Sequence, residues 1–285
     1  MIKTPIVITG AKGMLGQDLA RVFAEFSPIP LDREELDITD AEAVKKKFEE
    51  LKPGTVINAA AYNAVDEAEN DGGKRLADLV NANGPKNLAE ACKTIGATFV
   101  HYSTDYVFDG ENQAGYTEDD EPKPQSAYAL SKRLGEVHAL ETEGNVYIVR
   151  TCKLFGKPGV SEAAKESFIE LMLRLAQEKD ELQVVDEELA SPTYTPDLAQ
   201  QTKVLLEGDY EPGIYHITNS GACTWYRFAQ EIFEQSGIEI KLKKVKAEDF
   251  PRPAARPKYS ILLNTKLPRM RSWEQALADY LKQRN

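Results

Sequence analysis

Ile6-Val7-Ile8-Thr9-Gly10-Ala11-Lys12-Gly13-Met14-Leu15-Gly16 is the stretch from which the fold can be read. Four β-branched residues in a row predict a short buried strand. The glycines after it, three residues apart, fall where a strand would hand over to a helix. The spacing is GxxGxxG, not the GxGxxG of the dinucleotide fingerprint, but the physics is shared. Glycine permits a tight turn and close backbone approach, while exposed N–H groups and the helix dipole attract a pyrophosphate. Glycine spacing alone would serve a plain turn equally well; the flanking strand and helix favour a nucleotide site lined by Gly10, Gly13, Met14, Leu15 and Gly16.

Further along, the pattern alternates. Strands are predicted at Ile29–Leu31, Val56–Asn58, Phe99–Ser103 and Tyr147–Arg150, with helices at Met14–Phe26, Ala41–Leu51, Pro85–Ile95 and Ala127–Thr142. Such alternation implies βαβ units and hence a doubly wound, Rossmann-like parallel sheet. After Arg150 the pattern is irregular. Helices are expected near Ala163–Gln177, Asp197–Leu206 and Trp225–Gln235, and strands at Gln183–Val185 and Ile214–Thr218. The expectation is a dinucleotide-binding domain over 1–150, which recruits later segments, and a smaller, mainly substrate-binding α/β domain over 151–285. Pro251, Pro253 and Pro257 rule out a helix interior in the basic loop that carries Arg252, Arg256 and Lys258.

Composition narrows the function. The 285 residues include 35 Lys plus Arg against 46 Asp plus Glu, a formal charge of -11. That acidity argues against nucleic-acid or anionic-membrane partners. Cys92, Cys152 and Cys223 form no disulfide framework, and His101, His138 and His216 have no metal-ligand spacing, so no metal site is expected. No apolar run reaches a membrane span. A soluble cytoplasmic protein is the expectation. His101 and His216 read as satisfied core groups, and Glu118-Asp119-Asp120-Glu121 as solvated surface.

Two further constellations carry chemistry. Asp32, at the end of the second strand, suits a free ribose 2′-hydroxyl and so NADH; Arg33 beside it suits the 2′-phosphate of NADPH, which leaves the cofactor open. Asp37 is a candidate for the adenine end. Ser126-Ala127-Tyr128-Ala129-Leu130-Ser131-Lys132 puts Tyr128 and Lys132 one helical turn apart on one face. A nearby ammonium is expected to draw the phenol down toward a working pKa. Thr104, at the carboxyl end of the fourth strand, faces the same crevice and can bond a carbonyl.

These residues resemble the extended, sugar-nucleotide branch of the short-chain dehydrogenases/reductases. Asn58–Glu69, Ser103–Gly110, Ser191-Pro192-Thr193, Thr224-Trp225-Tyr226 and Ala255–Ser260 are similar to blocks of the dTDP-4-dehydrorhamnose reductase family, in order and across nearly the whole chain. The resemblance implies reduction of the 4-keto group of a nucleotide-linked deoxysugar by NADPH or NADH, in a monomer or homodimer. It implies Thr104, Tyr128 and Lys132 as the catalytic set. Asp32, Asp37 and Ile38 would hold the adenosine end, and Ala61, Tyr62 and Asn63 would run along the cofactor. Asp105 would lie by the sugar, and Arg256 would meet the diphosphate. Glu69 is a weaker candidate for a bridging cation.

The chain also departs from the family pattern. Arg150-Thr151-Cys152-Lys153 stands where the family has Arg-Thr-Ser-Trp, so Lys153 enters the substrate side in place of an indole. Lys157–Ser161 replaces an Asn-Asn-Phe stretch, Glu187-Glu188 an Asp-Gln pair, and Asn63 a threonine. A reductase of another nucleotide keto-sugar therefore stays open. So does a cofactor-binding regulatory subunit resembling that of methionine adenosyltransferase.

Overall fold

The computed structural model describes residues 2–160 and 166–284. Its centre is a parallel sheet built from β1 (Ile6–Thr9), β2 (Ile29–Leu31), β3 (Thr55–Asn58), β4 (Thr98–Thr104) and β5 (Asn145–Thr151). Around them run α1 (Met14–Val22), α2 (Ala41–Leu51), α3 (Asp71–Ala77), α4 (Gly84–Ile95) and α5 (Ala127–Glu141). All of β1 is buried, and its alternation feeds two cores. Ile6 and Ile8 meet Leu15, Leu19 and Phe23 on one face; Val7 meets Val44, Phe48 and Leu88 on the other. A strand buried on both faces needs four apolar or β-branched residues in a row, and the sequence supplies them.

The remaining chain shuttles between two regions. After β6 (Leu154–Phe155), α6 (Phe168–Glu178) and β7 (Glu181–Val185), it returns through β8 (Thr193–Tyr194), α7 (Thr195–Glu207) and β9 (Gly213–His216). It then leaves again through α8 (Trp225–Ser236) and β10 (Lys241–Val245) and ends on α9 (Trp273–Arg284). The large sheet has order β2-β1-β3-β4-β5-β9, so a strand from the later half forms its edge, paired in parallel with β5. Leu198, Ala199 and Leu205 of α7 join the core under α1. The smaller region pairs β10 with β7 and packs α6, α8 and α9 around Phe155, Phe228 and Trp273.

The expected α/β architecture with a doubly wound parallel sheet is what forms. Helix Ala163–Gln177 begins at Phe168 within the described residues; 163–165 lie outside them. Two sequence readings change. Glu118 is not solvated surface: it is buried, and its carboxylate accepts from the His216 N–H at 3.2 Å and the Thr265 hydroxyl at 2.7 Å. His101 and His216 are only half satisfied, because in each ring Nε2 is buried without a partner.

Candidate functional site

Strand order reverses where β1 lies between β2 and β3, and ligand crevices open at the carboxyl ends of strands there. The glycine turn occupies this point. Gly10 has φ +69°, and a Cβ on it would sit 2.5 Å from the Ala60 nitrogen; on Gly16 it would sit 2.2 Å from the Gly10 carbonyl oxygen. Only glycine fits either place. Gly13 then begins α1 with no side-chain cap, which leaves the first-turn N–H groups of Met14 and Leu15 free for an anion. A dinucleotide pyrophosphate fits this backbone. Of the Lys157–Ser161 departure, Ser161 lies outside the described residues, and Val160 lies against the turn, its N–H donating to the Lys12 carbonyl at 2.9 Å.

Asp32 stands directly after β2. Its carboxylate accepts from the Lys12 N–H at 2.9 Å and the Arg33 N–H at 2.8 Å, which ties the turn to the strand end. Arg33 is exposed, with Asp37 3.7 Å away. Asp37 itself closes a local turn, accepting from the N–H and hydroxyl of Thr39. Ile38 is a core residue whose side chain lies against Gly84.

The loop after β3 is pinned by a residue that sequence reasoning missed. Asn81 accepts from the Tyr62 N–H at 2.8 Å and donates to the Tyr62 carbonyl at 3.0 Å and the Ser131 hydroxyl at 3.1 Å. It is fully buried in a π-helical turn, Asp78–Asn83, between α3 and α4. Such turns often mark functional sites, but Gly72 and Gly73 at the start of α3 hid the helix from periodicity. Ala61, Tyr62 and Asn63 are thereby held at the crevice. Asn58 supports them by accepting from the Thr9 hydroxyl and Ala60 N–H while donating to His101 Nδ1 at 3.0 Å.

Thr104, Asp105 and Tyr128 come together at the end of β4. Ser126 caps α5 by accepting from the Ala129 N–H, and Tyr128 lies in the first turn with its ring edge-on to Tyr106 at 6.0 Å. Its hydroxyl donates to Asn63 at 3.5 Å. Lys132 is 3% exposed, and its ammonium donates to the Tyr102 carbonyl at 2.6 Å. Here the expected depression of the phenol fails. Burial pushes Tyr128 up from its usual value, with Thr104's hydroxyl acting the other way. Lys132 itself is drawn down to about 8 by burial, opposed by the charge of Glu136 one turn on. Glu136 is held in turn by Arg150 (2.9 and 2.8 Å) and Arg133 (2.8 Å).

Two substrate-side expectations also move. Arg256 does not present a free fork: both terminal nitrogens are spent on Asp66, at 2.9 and 2.7 Å, and the Ala254 carbonyl takes another bond. Lys153 does not point loosely into a pocket. Its ammonium donates to the carbonyls of Glu188 (2.9 Å) and Cys223 (3.1 Å) and lies 4.2 Å from the centre of the Trp225 ring. Glu188 accepts from Trp225 Nε1 at 2.9 Å and also pairs with Arg252. An indole thus does reach this corner, from α8 instead of from β5. Glu188, Arg252 and Arg256 line a cleft of about 280 Å³ together with Glu187, Phe250 and Lys258; Lys153 and Trp225 are not among its lining residues. Glu69 is engaged by the Ala127 N–H, and no cluster of potential metal ligands occurs among the described residues. No helix among them is long and apolar enough to cross a membrane.

Residues 4–285 match the family described as RmlD substrate binding domain. The chain is 39% identical to the spore coat polysaccharide biosynthesis protein SpsK of Bacillus subtilis, covering 99% of this chain and 98% of that one. A solved dTDP-4-dehydrorhamnose reductase of Clostridium acetobutylicum superposes with TM-score 0.91 at 42% identity, covering 98% of each chain. The dTDP-4-dehydrorhamnose reductase of Bacillus anthracis, solved in complex with NADP, gives TM-score 0.92 at 37% identity and 99% coverage of each.

Proposed function

The chain belongs to the RmlD substrate binding domain family, and from that premise we propose that it is an NADPH-dependent reductase of the 4-keto group of a nucleotide-linked deoxysugar, converting dTDP-4-dehydrorhamnose to dTDP-L-rhamnose. The observation that carries this reading is the meeting of Thr104 and the Tyr128 phenol at the end of β4, with Lys132 buried one turn below. The uncapped glycine turn of the same crevice is suited to the cofactor's pyrophosphate. Bound there, the dihydronicotinamide supplies the hydride.

The protein's own groups do the rest. Thr104 and Tyr128 orient the carbonyl oxygen, and Tyr128 Oη gives its proton as negative charge develops there. A phenol held high by burial stays protonated at neutral pH, which suits an acid awaiting an alkoxide. Lys132, one turn along α5, supplies the positive charge that steadies the phenolate left behind. Burial of this set excludes water. Asp32 and the glycine turn hold the adenosine half, and the loop that Asp66 anchors through Arg256 borders the cleft for the sugar nucleotide. The free, buried thiols Cys92, Cys152 and Cys223 support a reducing, cytoplasmic setting.

Tyr128→Phe tests the reading. Turnover of dTDP-4-dehydrorhamnose is expected to fall by a factor on the order of 10² or more while NADPH affinity changes little. An undiminished rate would remove Tyr128 from the mechanism. Lys153 favours one variation, a reductase of a different nucleotide keto-sugar, because a bonded ammonium stands where the family has an indole. Comparing kcat/KM over a panel of keto-sugar nucleotides separates the two.

A further inference from the structure

We propose that Asp105 governs the direction of the Thr104 hydroxyl, and thereby whether that hydroxyl can donate to the substrate's carbonyl oxygen; the proposal rests on the reductase reading above. A threonine hydroxyl has one proton and two lone pairs. On Thr104 one lone pair takes the Tyr106 N–H at 3.2 Å, and the proton goes to Asp105 Oδ1 at 3.1 Å. The other carboxylate oxygen, Oδ2, accepts from the Ser260 hydroxyl at 2.5 Å. Both hydroxyls thus donate to an ionised Asp105, and the proton that Thr104 gives to this carboxylate is withheld from the Tyr128 oxygen and from the crevice. A ketone oxygen also brings lone pairs, so the two would face each other without a proton between them.

Protonating Asp105 reverses the bond. The carboxylic O–H then donates to Thr104 Oγ, and the threonine proton is released toward the substrate. One proton is taken from solvent and none is consumed. Asp105 is thus a positioning residue acting through Thr104. It is 3% exposed, and the groups around it are the Lys153 ammonium, the Tyr128 and Tyr106 phenols and the Cys152 thiol. Burial lifts its carboxyl to about 6, against the pull of Ser260, Thr104 and Lys153. Its titration therefore lies below that of Lys132, near 8, and the two are separable.

The experiment is the pH profile of kcat/KM for the full-length enzyme with NADPH and dTDP-4-dehydrorhamnose. The wild type is expected to lose activity roughly tenfold as pH rises through about 6, the cost of turning a hydroxyl away from a carboxylate. Asp105→Asn, whose amide donates to Thr104 at every pH, should lack that limb. Ser260→Ala removes a donor that favours the charged form, so its limb should move to higher pH; a purely structural role predicts no such opposite responses. The proposal is overturned by a wild-type profile flat through this range. An Asp105→Asn limb at the wild-type position, or a Ser260→Ala limb that stays or moves to lower pH, overturns it equally. A wild type that turns over no nucleotide keto-sugar overturns the reductase reading along with it, whereas turnover with an unmoved limb overturns the Asp105 proposal alone.

Discussion

Replacing Arg150 by Met tests what holds the catalytic helix against the sheet. Arg150 on β5 is 1% exposed and grips Glu136 on α5 through two bonds of 2.9 and 2.8 Å; Glu136 is fully buried. Arg150→Met leaves that carboxylate hydrogen-bonded to Arg133, with the Lys132 ammonium as the other nearby cation. Breaking one side of a buried pair costs about 3–5 kcal/mol because the remaining charge keeps its desolvation penalty. Arg133 stays within 2.8 Å, and methionine refills part of the volume beside Phe108, so the lower end, about 3 kcal/mol, applies here. At this chain length that lowers Tm by roughly 6–12 °C. Urea unfolding gives the free energy directly.

Two controls sharpen the test. Arg150→Met combined with Glu136→Leu removes the stranded charge and should recover to within about 1–2 kcal/mol of wild type. Burial pushes Glu136 up, but Arg150 outweighs it and holds the carboxyl below its usual 4.5. A depressed carboxyl contributes stability above its unfolded value and loses it as pH falls. The gap between wild type and Arg150→Met should therefore shrink below about pH 4.5. A loss under 1 kcal/mol at neutral pH, or a gap that widens in acid, would refute this account.

Two other perturbations probe the cofactor and substrate sides. Gly16→Ala places a methyl 2.2 Å from the Gly10 carbonyl oxygen; overpacking of about 1–3 kcal/mol should weaken NADPH binding roughly tenfold in a fluorescence titration, and an unchanged Kd would show that the turn does not hold the pyrophosphate. Asp66→Asn breaks the charged anchor of the 254–256 segment. Because Asp66 is partly exposed, a modest rise in KM for the nucleotide sugar, roughly twofold to fivefold with kcat nearly constant, is expected; a fall in KM would mean that Asp66 competes with the substrate for Arg256.

Much of the sheet was legible because its signals are local. β1, β2 and α2 run over the residues that pattern reading assigned them, and α1 opens at Met14 as expected but ends at Val22, short of the expected Phe26. That Tyr128 and Lys132 lie one turn apart on a helix was legible for the same reason: a helix of known pitch fixes their spacing. What the sequence hid depends on distant chain. Asp66 and Arg256 meet across 190 positions, and Glu118 looked solvated because the segments that bury it arrive at residues 216 and 265. The phenol's pKa was misread because spacing counts a lysine one turn away as a neighbour, whereas its ammonium prefers the carbonyl of Tyr102. Asn81 was missed because its helix opens on two glycines and carries a polar face, so neither propensity nor periodicity marked it.

The placement of β9 beside β5 makes the two regions inseparable as pieces. A polypeptide stopped at residue 150 would end on a bare strand edge, with no α7 over α1 and part of its apolar floor uncovered. Because the backbone threads the boundary several times, any opening of the cleft has to be shared among many strands of connector at once.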